Sequence, residues 1–249
     1  MNALQAIIEH ADWAAIRWGL VAPDPGTVRA LPRDPAGPFW QVDRWYPYRR
    51  TRPDAQTLGS CAWNTIAVIR EIWDAVAGLP PRQRNYDEAY RRYRVGRFGV
   101  FEDKGSAPED MIPWCRNLEL FPPNTVYTEV ALSPQALCAA LEKGPLWAGQ
   151  ALHPGWTPSK LSKYGEVDHT ELRNINPNAG HAMSISGTNI RATGARMIAR
   201  DQSWGPLGYE DNGQVWEMVE DFIYAALCKP ILIIPDLEAI RSAPVPEWW

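Results

Sequence analysis

The sequence predicts an α+β domain with two lobes, because segments of helical periodicity fill the first half of the chain and strand-like segments fill the second. With 13 Trp and 23 Pro in 249 residues it reads as a compact, loop-rich globular protein, long enough for a full hydrophobic core. Taken in order, Leu4, Ile7, Ile8, Ala11, Ala15 and Trp18 recur at three- and four-residue spacing, with Gln5, Glu9, Asp12 and Arg17 opposite. That pattern predicts an amphipathic helix over 3–20 that docks on the main domain. Seven prolines between Ala22 and Asp54 exclude a continued helix or central strand and predict an extended connector. Gly59-Ser60 then supplies a turn and an N-cap candidate. Residues 61–77 are apolar on nearly every face (Trp63, Ile66, Val68, Ile69, Ile72, Trp73, Val76) until Gly78 and Pro80 stop them. This is expected to be a buried central helix with a cysteine in its first turn.

Two further helices are expected over 86–95, strongly basic on one side, and 108–118, opened by Ser106 with Pro108 and Glu109 in the first turn; both are read as solvent-facing. Residues 133–143 form a short helix closed by Gly144-Pro145. Strands are expected over 146–152, 181–187, 196–201, 214–218 and 231–234, separated by Gly, Pro and Asn clusters. The chain divides into a helix and Pro-rich connector (1–35), a main domain (36–235) and a C-terminal tail (236–249).

Composition excludes several functions. With 25 Lys+Arg against 29 Asp+Glu the net charge is −4, without the basic footprint of a nucleic-acid binder. The first twenty residues carry Glu9, His10, Asp12 and Arg17, so they are neither a signal peptide nor a membrane span, and no later stretch reaches eighteen apolar residues. No nucleic acid and no membrane partner is therefore expected, and the location is read as cytoplasmic or within an assembled particle. Cys61, Cys115, Cys138 and Cys228 form no C-x-x-C pair, which fits neither a disulfide framework nor a zinc ribbon. A reducing compartment follows, with no metal site.

Cys61 is the chemically loaded residue. At a helix N-terminus, unpaired backbone N–H groups and the macrodipole favour thiolate and can bind an oxyanion. The plain alternative is a small core residue. Its surroundings sharpen the choice. Gln56-Thr57-Leu58-Gly59-Ser60-Cys61 before an apolar helix, Gly180-His181-Ala182-Met183 entering a strand, and Asp201-Gln202-Ser203-Trp204-Gly205-Pro206 with Tyr209, Asn212 and Gly213 following are three ordered blocks. Together they resemble the nucleophile, histidine and Asn-Ser-Trp-Gly segments of papain-like cysteine peptidases, of a C1-like bacterial or phage type without a long pro-segment. Asp43-Arg44, Gly105-Ser106 and the stretch from Ala140 to Trp147 add weaker similarity, so the resemblance spans residues 38–235.

The resemblance implies a papain-like fold, a helical lobe carrying Cys61 and a β-rich lobe carrying His181. It implies Cys61 as nucleophile, held as thiolate by the helix terminus and a His181 imidazolium, with His181 as the acid and base. Gln202 would orient the imidazole where the family has Asn, and Trp204 would shield that contact from water. It also implies a peptide or protein substrate and no cofactor. Two positions depart from the pattern. Gln202 is one methylene longer than Asn. The family's oxyanion-hole Gln lies six residues before the nucleophile, where this chain has Ala55; either Gln56 serves from a loop one residue shorter, or only the Cys61 N–H remains.

Other residues have plainer readings. His169 is expected in a solvated loop, His153 and His10 on the surface, Ser184 and Ser186 on a half-buried strand, and Cys115, Cys138 and Cys228 as structural thiols. Arg91-Arg92-Tyr93-Arg94 reads as a solvated helix face. Trp63, Trp147, Trp156 and Met183 are candidates for pocket walls. Trp248-Trp249 either folds back on the domain or, like the N-terminal helix, meets a protein partner. The expected function is cysteine-dependent hydrolysis of a peptide or related amide bond through a thioacyl intermediate. The alternatives are a catalytically weakened papain-fold subunit of a bacterial or phage assembly, or the same Cys–His pair acting on cell-wall cross-links or in acyl transfer.

Overall fold

The computed structural model describes residues 45, 56–80, 82–157, 159–162, 165–191, 193–201, 203, 214–242 and 245–249. The expected helix over 3–20 and nearly all of the Pro-rich connector, with Asp43-Arg44, lie outside them. Within them the helices come first. The central helix α1 (Cys61–Val76) has its apolar residues buried almost all round, as its composition requires. Ser60 precedes it, but its side chain makes no cap: the hydroxyl donates to Asp87 at 2.6 Å, and the Ser60 carbonyl starts the helix by accepting from Trp63 and Asn64. Gly78, at φ +76°, ends α1 in the left-handed conformation that glycine takes without a Cβ penalty.

Helix α2 (Tyr86–Phe98) starts at Asn85, whose side chain accepts from the Glu88 N–H at 3.1 Å, and ends at Gly99. It is less solvent-facing than expected. Tyr90, Tyr93 and Arg94 are buried, and Arg94 donates to the Gly105 carbonyl, so only Arg91 and Arg92 of that basic run form an exposed face. A 3-10 turn (Pro108–Asp110) leads into α3 (Met111–Asn117). Buried Asp74 ties α1 to its surroundings: it accepts from Arg70 Nε at 2.8 Å and pairs with Arg84, while Arg70 Nη1 donates to the Leu120 carbonyl.

The second half builds one antiparallel sheet of six strands: β1 (Val126–Glu129), β2 (Leu146–Leu152), β3 (Asn176–Ile190), β4 (Arg196–Asp201), β5 (Gln214–Met218) and β6 (Ile231–Ile234). Their spatial order is β1-β6-β2-β3-β4-β5. Short helices α4 (Pro134–Leu141), α5 (Val219–Ala225) and α6 (Leu237–Ser242) follow; Ser133, read as the first residue of the expected helix, instead caps α4 by accepting from the Ala136 N–H at 3.2 Å. Helix α1 packs on β2 and β3, and Trp147 Nε1 of β2 donates to the Ala62 carbonyl. Trp63, Trp147, Trp156 and Met183 are fully buried in these cores, so they are packing residues and not pocket walls. Ser184 and Ser186 are buried too, because β3 is covered on both faces. The C-terminal tryptophans fold back: Trp249 is buried and Trp248 lies under the Arg92 guanidinium, 4.4 Å from its ring centre.

Candidate active site

Cys61 opens α1, and the turn before it is held tightly. The Gly59 N–H donates to Asp103 Oδ1 at 2.8 Å, Tyr90 donates to the same oxygen at 2.9 Å, and the Gly105 N–H closes onto the Tyr90 hydroxyl. Gly59 is required there, since a Cβ would sit 2.9 Å from Asp103 Oδ1 and 3.3 Å from the Gly105 nitrogen. Ser106, on the same loop, accepts from Trp63 Nε1 at 2.8 Å. The first turn of α1 is thus fixed against the 103–106 loop.

The main-chain N–H of Ala182 lies close to the Cys61 thiol and, with the N–H groups of Ala62 and of Cys61 itself, favours its thiolate. Burial outweighs them, with Asp103 adding to it, and the thiol is pushed up from its ordinary value. The expected help from the helix terminus is therefore present but smaller than the cost of desolvation. Ala182 follows His181 directly on β3, so the start of α1 meets the histidine strand.

His181 is itself buried, and its cross-strand partner on β2 is Gln150. Burial, then the charge of Arg200, lowers its proton affinity to a pKa of about 3. Both directions favour a neutral thiol and a neutral imidazole, not the thiolate–imidazolium pair expected from the sequence; the physical reason is that neither charge is well solvated there.

Gln56 joins the third block to this loop. Its N–H donates to the Ser203 carbonyl at 2.9 Å, its Oε1 accepts from the Ser203 hydroxyl, and its Nε2 donates to the Leu58 carbonyl at 3.0 Å. Among the described residues, one hydrogen of Nε2 remains for another acceptor. Gln202 and Trp204 lie outside the described residues. The structure therefore brings together Cys61 with the His181-Ala182 segment, and Gln56 with the residue that follows Gln202.

The remaining sequence readings divide. His169 is exposed, at the start of a 3-10 turn (His169–Asn174), as expected of a solvated loop. His153 is buried instead of surface-exposed, and burial lowers its pKa to about 4, because Gly155 and the following turn fold over its ring. Cys115 and Cys138 are buried free thiols and Cys228 is a partly buried one. Three buried polar residues, Gln150, Arg200 and Glu217, went unnoticed in the sequence. Of these only Gln150 carries a local signal, a lone polar residue inside an otherwise apolar strand; Arg200 shares its strand with Arg196 and Asp201, and Glu217 with Gln214.

No protein-family model matches the chain, and neither does any curated protein. Solved structures do. Xylellain, a cysteine protease from Xylella fastidiosa, superposes with a TM-score of 0.63 at 20% identity, over 79% of this chain and 86% of its own. Digestive procathepsin L 3 of Tenebrio molitor larval midgut gives 0.60 at 12% identity, over 92% and 77%. The ragweed pollen cysteine protease Amb a 11 in its proform gives 0.55 at 14%, over 84% and 67%. The chain thus has the papain-like α+β fold, with Cys61 in its helical lobe and His181 in its β-rich lobe.

Proposed function

We propose that this protein hydrolyses a peptide or related amide bond through a thioacyl intermediate on Cys61. The observation that carries the reading is the closeness of the Ala182 main-chain N–H to the Cys61 thiol, which sets a helix-terminal thiol beside the strand of His181 in a fold shared with cysteine proteases. His181 acts as general base: it takes the thiol proton, and the sulfur attacks the carbonyl carbon. The Cys61 N–H and the remaining Gln56 N–H receive the oxyanion. When the C–N bond breaks, His181 returns the proton to the leaving amine. It then takes a proton from water, whose oxygen attacks the thioester carbon; as the C–S bond breaks the acid is freed and His181 returns that proton to the departing sulfur. Gln202 orients the imidazole and Trp204 shields that contact, roles drawn from the family resemblance.

The test is hydrolysis of a fluorogenic peptide library, with iodoacetamide labelling mapped by mass spectrometry. Cys61→Ser and His181→Ala each reduce hydrolysis by about 10³-fold or more, and Cys61 labels ahead of Cys228 in the native protein. Absence of hydrolysis together with labelling of Cys61 no faster than Cys228 overturns the proposal. That outcome selects the second reading, a papain-fold protein with weakened catalysis that serves as a binding or structural subunit. One observation favours it: burial disfavours the charged forms of both Cys61 and His181.

A further inference from the structure

The turn that delivers the nucleophile is anchored by a carboxylate to which the steps above give no part. On the helix side the chain is held by α1 itself: the Ser60 carbonyl accepts from Trp63 and Asn64, and the Thr65 hydroxyl donates to the Cys61 carbonyl at 2.9 Å. On the approach side Gln56 is tied to Ser203 and to the Leu58 carbonyl. Between these anchors the Gly59 N–H donates to Asp103 Oδ1 at 2.8 Å, and the Ser60 hydroxyl donates to Asp87 at 2.6 Å. Gly59 stands two residues before Cys61, so their α-carbons are at most about 8 Å apart. Whatever fixes Gly59 also fixes how the chain enters the helix.

Asp103 is spent on this turn. Its Oδ1 accepts both the Gly59 N–H and the Tyr90 hydroxyl, the latter at 2.9 Å, and that hydroxyl accepts in turn from the Gly105 N–H at 2.8 Å. Tyr90 is fully buried on α2 and meets Phe101 edge-on, with ring centres 5.8 Å apart. Burial, then the charge of Asp103, pushes its phenol above the ordinary value, so it remains a donor. The bonds join three segments: the turn before α1, the middle of α2 and the 103–105 loop. The neighbouring Lys104 pairs with Glu102 at 2.9 Å, and Asp103 makes no ion pair among the described residues. Nor does the carboxylate activate the sulfur, since its negative charge opposes the Cys61 thiolate. What is left to it is position. A carboxylate accepting a main-chain N–H makes a charge-assisted bond, about twice as strong as a neutral one.

We propose that Asp103 is a positioning residue for the nucleophile: by holding the Gly59 N–H against Tyr90 and the 103–105 loop, it sets the direction in which the chain presents the Cys61 sulfur and the Cys61 N–H. The proposal deepens the reading of Cys61 as nucleophile and rests on it. A tilt of the 59–60 peptide turns both groups at once, the one that attacks and the one that receives the oxyanion. It therefore misaligns the transition state while leaving substrate binding nearly as it was. Asp87 holds the same turn through the Ser60 hydroxyl, which rotates about its own bonds and so constrains the main chain less.

The test compares Asp103→Ala with Asp103→Asn in the full chain, by peptide hydrolysis normalised to the folded fraction and by amide hydrogen exchange of ¹⁵N-labelled protein. Asp103→Ala lowers kcat by about 10–100-fold and moves KM by less than about threefold. Asp103→Asn, which still offers an oxygen to both donors, brings kcat back to within about fivefold of the wild type. A merely structural role would lower the folded fraction and leave the normalised kcat where it was. The Gly59 amide exchanges slowly in the wild type and in Asp103→Asn, and fast in Asp103→Ala. Should Asp103→Ala fail to fold, Asp103→Leu fills the space without an acceptor and must show the same loss of kcat. A normalised kcat in Asp103→Ala equal to that of the wild type, an Asn variant as impaired as the Ala one, or an unprotected Gly59 amide in the wild type overturns the proposal. Absence of hydrolysis in the wild type fails the reading of Cys61 itself; an active wild type with an unimpaired Asp103→Ala sinks only the role of Asp103.

Discussion

Gln56 and Ser203 decide how firmly the parts of the site are joined, and 147 positions separate them in the chain. The Gln56 amide gives its oxygen to the Ser203 hydroxyl and one N–H to the Leu58 carbonyl, which fixes its plane. If its second N–H is an oxyanion donor, Gln56→Ala lowers kcat by about 10²–10³ with little change in KM, because the donor acts on the transition state. Ser203→Ala leaves the donor in place but frees its plane, and has a smaller effect of the same sign. Steady-state kinetics on a cleaved peptide measures both. An unchanged kcat in Gln56→Ala would mean that the Cys61 N–H works alone, the other option the sequence left open. The sequence could place Gln56 five residues before the cysteine. It could not show Ser203 as its partner, because a contact between distant segments leaves no mark in local spacing.

At the level of elements, the start of α1 is positioned by a contact that only glycine allows. In Gly59→Ala the new methyl meets Asp103 Oδ1 and the Gly105 nitrogen, so either the 103–105 loop or the first turn of α1 must shift by a few tenths of an ångström or more. Catalysis is more sensitive to such a shift than folding is. The variant is expected to lose about 10–100-fold in kcat/KM while its melting temperature, followed by circular dichroism, falls only a few degrees; full activity would show that this clamp does not set the nucleophile. Much of this level was legible beforehand. The apolar run of α1 and its Gly78 stop predict the helix to within a residue, and β2, β4, β5 and β6 have the expected bounds. The misses have physical causes. Val126–Glu129 is a four-residue edge strand with mostly exposed side chains, too short and too polar to show alternation. Val219–Ala225 and Leu237–Ser242 span two turns or fewer and are stabilised by what they pack on, not by periodicity. Strand β3 begins at Asn176 and not near His181, because its Asn-Pro-Asn start has no strand pattern and is drawn in by β2 across a bulge.

Over the whole molecule, the chain's last residues close on its central helix. Arg241 of α6 donates to the Ala77 carbonyl at the C-terminal end of α1, Trp249 is buried, and Trp248 stacks under Arg92 of α2. Composition had marked this tryptophan pair without choosing between folding back and meeting a partner; the packing accounts for the ring of Trp249 within the chain itself. The indole Nε1 of Trp249 has no hydrogen-bond partner among the described residues, so its contribution is apolar burial. Trp249→Phe should therefore cost less than about 1.5 kcal/mol, whereas Trp249→Ala, which empties the site, should cost about 3–5 kcal/mol. Urea unfolding followed by far-ultraviolet circular dichroism reads both. Helix α1 has 16 residues, so its end under α6 lies about 24 Å from Cys61. Loosening that end lowers the fraction folded without moving the thiol, and the folded part of Trp249→Ala should keep its kcat and its rate of Cys61 labelling below the transition. Equal stability of the Ala and Phe variants would show that burial of Trp249 contributes little to holding the helical lobe. A fall in kcat without loss of fold would instead mean that α1 transmits the disturbance along its whole length to the cysteine.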